Sequence, residues 1–338
     1  MDDKNVLITG GAGFIGSNLA KKLYRLGYNV TVIDNLSSGN IENLKIDNFL
    51  VCRFFNDDIT SEKMYEYLEG INYVFHFAGI APLPDNQCNP QNAVNINIGG
   101  FMNVLESARK QNVKRVIFSS TSAVYENATS YPNNEHDLIY PHLTYSTCKY
   151  CAEIFINSYR KCYNMDIVIV RYFNVYGVGQ DMLRKSPPFM GYVIRELLQN
   201  NIPQLHSNGE QSRDYIHVDD VNECNYLCMI KEDAKNETFN VSNNKAYSVK
   251  ELYQIIKSNL KCDIEANYND SKNFWKNYPE LYEGSYPFNN DLIEKEVNKY
   301  SLGNNQKAKM LLKWEPKISI NVGIQQVINY IKDSYKVV

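Results

Sequence analysis

Short apolar runs alternate with amphipathic stretches through the first half of the chain. Largely apolar runs span 6–9 and 30–34, and the stretch 15–26 between them carries apolar side chains at helical spacing before Gly27, a common helix end. The alternation continues with apolar runs at 71–79, 113–120 and 165–173 and with helical stretches at 93–110 and 145–163. Strands that alternate with helices at this spacing predict a parallel sheet with helices on both faces.

The pattern changes after Gly177. The chain then passes through a proline-containing segment at 184–189, a polar turn at 207–213 and a helical stretch that begins at Val218. Roughly the last 90 residues are rich in Asn, Lys and Tyr and lack the regular alternation. The sequence therefore predicts an α/β protein, in which a doubly wound parallel sheet is joined to a smaller, mixed α/β C-terminal lobe.

Composition narrows the class of protein. The chain has 338 residues, 44% of them hydrophobic, and its 35 Lys and Arg against 38 Asp and Glu give a net charge of -3. This charge provides no overall field that attracts nucleic acid. No stretch reaches the roughly 20 apolar residues of a membrane span, and the acidic N-terminus lacks the pattern of a secretory signal. We therefore expect a cytoplasmic enzyme without a nucleic-acid or membrane partner.

The cysteines and histidines do not form a metal-binding pattern. Eight cysteines in a chain of this length, without an export signal, are better interpreted as reduced thiols than as a disulfide framework. Cys148 and Cys151 form one C-x-x-C pair, but no second pair follows and the five histidines are scattered. We therefore predict no metal site and attribute the pair to chance spacing on a helix.

A glycine-rich turn follows the first predicted strand. Gly10, Gly13 and Gly16 stand between this strand and the first helix, where glycine allows a sharp turn and close approach to a pyrophosphate at the helix N-terminus. Asp34 ends the second strand, where a carboxylate can accept hydrogen bonds from an adenosine ribose and repel a 2′-phosphate. The pattern therefore favours NAD over NADP. The alternative is a purely structural turn with Asp34 as a loop cap.

Tyr145 and Lys149 form a Y-x-x-x-K pair, whose spacing places both side chains on one face of a helix. The same spacing recurs at Tyr253 and Tyr268, but only Tyr145 lies shortly after a strand that ends in Ser-Ser-Thr at 119–121. A tyrosine base needs its pKa lowered from about 10, and a lysine ammonium and a cationic nicotinamide ring can do this. The Thr121 hydroxyl would align the substrate oxygen with the phenol.

Together these segments resemble the extended short-chain dehydrogenases/reductases of the nucleotide-sugar epimerase/dehydratase family, and within it most closely the UDP-hexose 4-epimerases. The motifs that carry the resemblance are TGGAGFIG (9–16), Asp34 with Asn35, Asp58-Ile59, HFAG (76–79), SSTSAVY (119–125), YSTCK (145–149), RYFNVYG (171–177) and RDYIHVDD (213–220). The resemblance implies a Rossmann-type domain at 1–177, completed by about 214–242, that binds NAD. It implies that 178–213 and 243–338 form the lobe that binds the nucleotide sugar.

The resemblance also implies roles for individual residues. It makes Tyr145, Lys149 and Thr121 catalytic and places Thr121, Tyr145, Asn174 and Arg213 against the substrate. It places NAD along Gly10, Gly13, Phe14, Ile15, Gly16, Asp34, Asn35, Asp58, Ile59, Phe77, Ala78, Gly79, Asn97, Ser119, Tyr145, Lys149 and Phe173. Two alternatives remain open: Phe77 and Phe173 as core aromatic residues, and Asn97 as a helix-start residue.

The residues after Thr121 bear on the reaction. In this family, 4,6-dehydratases carry Asp-Glu directly after the threonine and decarboxylases carry Thr-Ser-Glu, whereas this chain has Ser122 and Ala123. The resemblance therefore implies C4 epimerisation through transient oxidation. A C4 dehydrogenase, another epimerase or decarboxylase acting on a GDP-, CDP- or dTDP-sugar, and a non-catalytic NAD-sensing protein remain as alternatives.

Three further features concern the substrate and the assembly. No arginine follows Arg213, although relatives carry a second diphosphate arginine, so Lys295 or Lys299 is a candidate substitute. The segment 80–84 is apolar where relatives have a polar, sugar-facing segment, and 184–189 is either a substrate loop or a proline-fixed surface loop. The resemblance also implies a homodimer that pairs through the helices near 97–111 and 146–163.

Overall fold

The protein is described by a computed structural model over residues 3–182 and 184–335. The strands are β1 (Asn5–Thr9), β2 (Asn29–Ile33), β3 (Lys45–Ile46), β4 (Phe49–Leu50), β5 (Arg53–Phe55), β6 (Tyr73–His76), β7 (Arg115–Thr121), β8 (Ile167–Tyr172), β9 (Asn174–Tyr176), β10 (Gln204–His206), β11 (Ser212–His217), β12 (Thr238–Val241), β13 (Ala246–Ser248) and β14 (Asn267–Asn269). The helices are α1 (Phe14–Arg25), α2 (Met64–Tyr67), α3 (Leu83–Cys88), α4 (Pro90–Val94), α5 (Phe101–Lys110), α6 (Thr144–Tyr163), α7 (Phe189–Leu198), α8 (Val218–Ile230), α9 (Val249–Leu260), α10 (Asn290–Asn298), α11 (Gln306–Leu312) and α12 (Ile320–Tyr335).

Seven parallel strands form the central sheet in the order β12-β8-β7-β6-β1-β2-β5. From β1 the chain builds the sheet first towards β5 and then, from β6, in the opposite direction. This reversal confirms the predicted doubly wound sheet. Ligands of such sheets bind beyond the carboxyl ends of the strands at the point of reversal, here between β1 and β6.

Both faces of the sheet are covered, as the alternating pattern predicts. On one face, Leu19 and Leu23 of α1 pack with Cys224 of α8 in a fully buried cluster. On the other face, Val104 of α5 and Ile156 of α6 are equally buried. Burial of this kind stabilises a fold by about 25 cal/mol for each Å² of apolar surface removed from water.

The stretch predicted as one helix over 93–110 is divided in the structure. A π-helical turn over Asn95–Gly100 separates α4 from α5. Ile59 packs against Gly100 there, since a Cβ on this glycine would lie 2.5 Å from the Ile59 Cδ1 atom. π-Helical turns occur frequently at functional sites.

The C-terminal lobe has its own core. Residues of α7, α9 and α12, including Val193, Ile256 and Ile324, form a buried cluster beside a mixed sheet of order β13-β11-β9. The division of the chain into two domains stays a prediction. Although α11 falls in the predicted lobe, its Leu312 and the following Trp314 pack in the cluster on the central sheet.

No helix within the described residues is both long and apolar enough to cross a membrane. Across the same residues, no group of three or more His, Cys, Asp and Glu side chains is placed to hold a metal ion.

Candidate active site

The glycine turn brings three backbone segments into close contact. Gly10 has a positive φ of 67°, and a Cβ at this position would lie 2.6 Å from the backbone nitrogen of Ala78. A Cβ on Gly16 would lie 2.5 Å from the carbonyl oxygen of Gly10. Glycine is therefore required at both positions, at the first by φ and by space and at the second by space alone.

The N-terminus of α1 has free donors. Gly13 is its N-cap and provides no side-chain cap, and the first N–H directed into the helix is that of Ser17, which donates to the Gly13 carbonyl at 3.0 Å. The N–H groups of Phe14, Ile15 and Gly16 have no carbonyl partner in the helix, as expected for a first turn. Such a helix end suits an anion, here a pyrophosphate.

Asp34 is buried beside this turn. One carboxylate oxygen accepts the N–H of Ala12 at 2.9 Å and the other accepts the N–H of Leu36 at 2.8 Å. The side chain thus acts as a loop cap, as the structural alternative predicts. Because a carboxylate has about four lone-pair sites, this role leaves acceptors for ribose hydroxyls.

Three of the residues that the resemblance places along NAD lie together, namely Asn35, Asp58 and Ile59. The Asn35 amide donates to the Asp58 carboxylate at 2.6 Å, and Asp58 also accepts from the N–H of Thr60. Ile59 is buried, and its carbonyl accepts the Asn103 amide at 2.8 Å. The two segments, which follow β2 and β5, form one wall beyond the edge of the sheet.

Asn97 is not a helix-start residue; it lies inside the π-helical turn and is buried. Its amide oxygen accepts the N–H of Ile80 at 2.8 Å, and its amide nitrogen donates to the Asn86 side chain at 2.8 Å. A Cβ on Gly79 would lie 2.7 Å from the same amide oxygen. Asn97 therefore holds the segment that follows Ala78 and Gly79 in place.

Lys149 is buried next to that segment. Its ammonium donates to the Ser119 carbonyl at 2.9 Å and lies 4.9 Å from the centre of the Phe118 ring. Burial lowers the pKa of Lys149 to about 8, because the charged form loses hydration. Glu153, one turn further along α6, opposes this shift by its charge.

Tyr145 lies in the first turn of α6 and, with Thr121, faces a large cavity. Burial raises the pKa of Tyr145 to about 12, while a hydrogen bond from Thr121 and the charge of Arg184 lower it. In this structure the phenol is therefore protonated near neutral pH. Its function as a base requires additional positive charge close to the ring.

The cavity has a volume of about 910 Å³ and lies between the carboxyl edge of the sheet and the C-terminal lobe. Thr121, Tyr145 and Phe173 line one side, and residues from 184–190, 204–213 and 273–301 line the other. The apolar residues 81–84 form part of the wall.

Phe77 and Phe173, which the sequence leaves either as NAD contacts or as core aromatic residues, differ in their surroundings. Phe173 lines the cavity and is also buried against Tyr125, with ring centres 6.4 Å apart. Phe77 is half-buried and stacks on Phe75 at 6.1 Å. Both rings therefore have core contacts, and Phe173 has a cavity-facing surface in addition.

Asn174 and Arg213 both line the cavity. The Asn174 amide donates to the Asp214 carbonyl at 3.1 Å, while the Arg213 guanidinium donates to the carbonyls of Glu296 at 2.7 Å and Lys299 near the end of α10. Lys299 lines the cavity too and pairs with Glu296, whereas Lys295 lies outside it and contacts Asn127. Of these two lysines, Lys299 is the one that lines the cavity.

Glu126 lines the cavity, although the sequence did not single it out. The Glu126 carboxylate accepts the N–H groups of His142 and Leu143, the latter at 3.0 Å, and the Ser146 hydroxyl at 2.7 Å. It therefore holds the chain that leads into the helix carrying Tyr145, although its position directly after SSTSAVY gave no sign of this. Arg184 belongs to the 184–189 segment, which lines the cavity as a substrate loop would.

Comparisons with known proteins agree with this geometry. The model of the NAD dependent epimerase/dehydratase family matches residues 6–242. The chain is 32% identical to a UDP-glucose 4-epimerase of Thermotoga maritima, crystallised with UDP-glucose, over 98% of this chain and 99% of that one, with a TM-score of 0.86.

Two further relatives are similar over nearly the whole chain. A UDP-N-acetylglucosamine 4-epimerase of Methanobrevibacter ruminantium, solved in complex with UDP-N-acetylmuramic acid, is 30% identical over 98% of this chain and 99% of its own, with a TM-score of 0.86. A UDP-glucose 4-epimerase of Mycolicibacterium smegmatis is 27% identical over 97% of this chain and 98% of its own.

Proposed function

Because this chain belongs to the NAD dependent epimerase/dehydratase family, we propose that it is an NAD-dependent nucleotide-sugar 4-epimerase acting on a UDP-hexose or UDP-N-acetylhexosamine. The observation that carries the proposal is the placement of Tyr145 and Thr121 side by side in the cavity, followed there by Ser122 and Ala123. The next carboxylate along the chain, that of Glu126, already accepts hydrogen bonds from residues at the start of α6. Tyr145 and Thr121 therefore support proton transfer at one hydroxyl of the sugar. The residues that follow Thr121 provide no second acid for dehydration.

The residues beyond β1, β2 and β6 fit NAD. The free N–H groups of 14–16 suit the pyrophosphate, Asp34 suits the ribose of adenosine, and the segment 77–79 with Asn97 and Ser119 forms the wall that leads to Lys149. We assign the Asn35 and Asp58 pair to the adenine and Phe173 to the nicotinamide. Bound NAD supplies the acceptor and later the donor of the C4 hydride.

Tyr145 would remove the proton from the C4 hydroxyl of the sugar, with Thr121 holding the same oxygen. The ketosugar then turns over in the cavity, and Tyr145 returns the proton to the oxygen on the other face. Arg213 and Asn174 would hold the diphosphate while the sugar turns, since a guanidinium fork matches phosphate oxygens. Lys149 would bind the ribose next to the nicotinamide and lower the pKa of Tyr145.

The proposal is tested with a panel of UDP-, GDP-, CDP- and dTDP-sugars. Proton NMR of the sugar should show inversion at C4 for a UDP-sugar, and absorbance should show no net NADH. Accumulation of NADH would instead indicate a C4 dehydrogenase. If the protein binds NAD but reacts with no sugar of the panel, the result would support a non-catalytic NAD-sensing protein.

The variant Tyr145→Phe tests whether the Tyr145 hydroxyl is the catalytic base. It removes only the phenol oxygen, so we expect turnover to fall at least about 1,000-fold with NAD bound normally. Tyr253→Phe is the matched control, because it removes a hydroxyl that donates to the Ile264 carbonyl at 2.7 Å, far from the cavity. Equal turnover of the two variants would overturn the proposal.

We also propose a homodimer paired through α5 and α6. On α6, Ile154 and Phe155 are 52% and 42% exposed, whereas Ile156 is fully buried. The first two side chains are therefore available for a partner and the third belongs to the core. Light scattering should give twice the chain mass for the native protein and the chain mass for Ile154→Glu with Phe155→Glu.

The eight cysteines are all free thiols in the structure. This supports a reducing, cytoplasmic location. We propose that the enzyme supplies an epimerised nucleotide sugar for carbohydrate biosynthesis there. Retention of the protein in a membrane or export fraction on cell fractionation would contradict this location.

A further inference from the structure

The helix that carries Tyr145 begins without a cap of its own. The N-cap position of α6 is Leu143, whose side chain cannot accept a hydrogen bond, and the N–H of Thr147 is the first to donate into the helix, to the Leu143 carbonyl at 2.9 Å. Tyr145 is the second residue of α6 and therefore lies in this first turn. First turns fray when their N–H groups lack acceptors. The proposed base thus depends on acceptors from elsewhere in the chain.

Gln87 of α3 supplies one such acceptor. Its side-chain oxygen accepts the N–H of Thr144 at 3.2 Å and the hydroxyl of the same residue at 3.0 Å. Thr144 is the first residue of α6 and directly precedes Tyr145. Gln87 therefore takes the place of an N-cap side chain, although it comes from 57 residues earlier in the chain.

Glu126 supplies acceptors on both sides of these two residues. Its carboxylate accepts the N–H of Leu143 at 3.0 Å and the hydroxyl of Ser146 at 2.7 Å. A negative charge at this end of a helix also interacts favourably with the helix dipole. Because Glu126 bonds to the neighbours of Thr144, it does not replace Gln87 at the Thr144 N–H.

α3 is itself fixed to the wall that we propose for NAD. Asn86, the residue before Gln87, is fully buried, and its amide donates to the carbonyls of Ile80 at 3.0 Å and Pro82 at 2.7 Å. Its side-chain oxygen accepts the Asn97 amide at 2.8 Å. Adjacent residues of one short helix therefore contact the proposed NAD wall and the turn that carries the base.

We propose that Gln87 is a positioning residue, which holds the first turn of α6 so that the Tyr145 hydroxyl meets the substrate, and that α3 sets this position from the NAD wall. The inference rests on the proposed function for the role of Tyr145. Gln87 is not among the described residues that line the cavity, so its influence on the reaction passes through Thr144. A displacement of about 1 Å at a reacting group can lower a rate about 100-fold.

The first test measures steady-state turnover of UDP-glucose and UDP-N-acetylglucosamine. Gln87→Met removes the acceptor with little change in side-chain length, and we expect kcat to fall about 10- to 100-fold while KM and NAD affinity stay within about 3-fold. Gln87→Glu keeps an acceptor oxygen and should retain kcat within about 3-fold. Gln111→Met is the matched control, because it removes an amide that donates to the Tyr65 carbonyl at 2.9 Å on the exposed end of α5.

The second test repeats the change in Tyr145→Phe. If Gln87 acts by positioning the phenol oxygen, adding Gln87→Met to Tyr145→Phe should leave the residual rate within about 2-fold, since no hydroxyl remains to be positioned. An equal factor in both backgrounds would indicate general damage and overturn the inference. A native kcat in Gln87→Met, or an equal loss in Gln111→Met, would also overturn it.

Hydrogen exchange of the holoenzyme gives a measurement that needs no turnover. The backbone N–H groups of 143–147 should exchange about 10-fold faster in Gln87→Met and at the native rate in Gln87→Glu and Gln111→Met. Native exchange in Gln87→Met would overturn the inference. Faster exchange in a protein that epimerises neither sugar would support Gln87 as the residue that holds the turn and contradict the proposed reaction alone.

Discussion

The sheet half of the molecule and the wall of the cavity differ in how their buried polar atoms are satisfied. Throughout the described part of the chain, every buried side-chain nitrogen or oxygen without a hydrogen-bond partner belongs to residue 206 or later. Four of these atoms are on residues that line the cavity, namely His206 Nδ1, Gln211 Oε1, Trp275 Nε1 and Ser301 Oγ. In the sheet half, by contrast, even the charged pair of Glu153 and Arg171 is fully paired.

This difference indicates which region of the molecule has its contacts in place before a ligand binds. Around the glycine turn, contacts between backbone atoms leave no space for other side chains, so the turn that we propose for NAD is preformed. In the cavity wall, buried polar atoms without partners cost free energy of folding. The predictions below test this contrast between the two regions.

The largest effect is expected on stability. Glu153→Gln should lower the free energy of unfolding by about 3–5 kcal/mol, because it leaves the buried Arg171 charge without a counterion. Urea unfolding measures the change. Glu210→Gln, which breaks the exposed pair with Lys250, is the control and should leave the midpoint unchanged. Similar midpoints for the two variants would show that the sheet half is not held by its buried pairs.

Gly16→Ala should weaken NAD binding about 100-fold, since the new methyl group would lie 2.5 Å from the Gly10 carbonyl oxygen and force the turn open. Gly99→Ala is the matched control, because its nearest contact is an ordinary 3.6 Å. Calorimetry with NAD measures both. If Gly16→Ala bound NAD normally, the site would not be preformed by close backbone contact.

On the substrate side, Arg213→Gln should weaken UDP binding about 10-fold and leave NAD binding unchanged. Arg213→Lys should be intermediate, because it keeps the charge and loses the fork. Titration of the holoenzyme with UDP gives the affinities. If Arg213→Gln bound UDP as tightly as the native protein, Arg213 would have only a structural role, through its contacts with the end of α10.

The smallest effect is a shift in pH dependence. Thr121→Val removes the hydrogen bond that lowers the pKa of Tyr145, so the pKa rises and less phenolate is present at any given pH. The acid limb of kcat/KM should move to higher pH by up to about one unit. Thr121→Ser keeps the hydroxyl and should keep the native profile. If the pH profile of Thr121→Val were the same as that of the native protein, the Thr121 hydroxyl would have no influence on the pKa of Tyr145.

The sequence predicted the sheet half well because short-range rules decide it. Alternating apolar runs give the strands, and glycines at 10, 13 and 16 mark the turn between the first strand and the first helix. The π-helical turn around Asn97 was missed, since it depends on contacts with Ile80 and Asn86. The cavity wall joins segments near 184, 211 and 299 that are far apart in the chain. No local pattern therefore showed which residues meet there, or that Glu126 holds the chain leading into α6.

The position of Trp314 has a consequence for the synthesis of the protein. Its ring packs in the cluster on the central sheet, and its indole N–H donates to the Asp220 carbonyl at 3.0 Å. A growing chain therefore cannot finish the core of its N-terminal half until nearly all of the polypeptide has left the ribosome. Until then an apolar face of the nascent sheet stays open to water, so a transcript truncated before codon 314 should yield a product prone to aggregation and proteolysis.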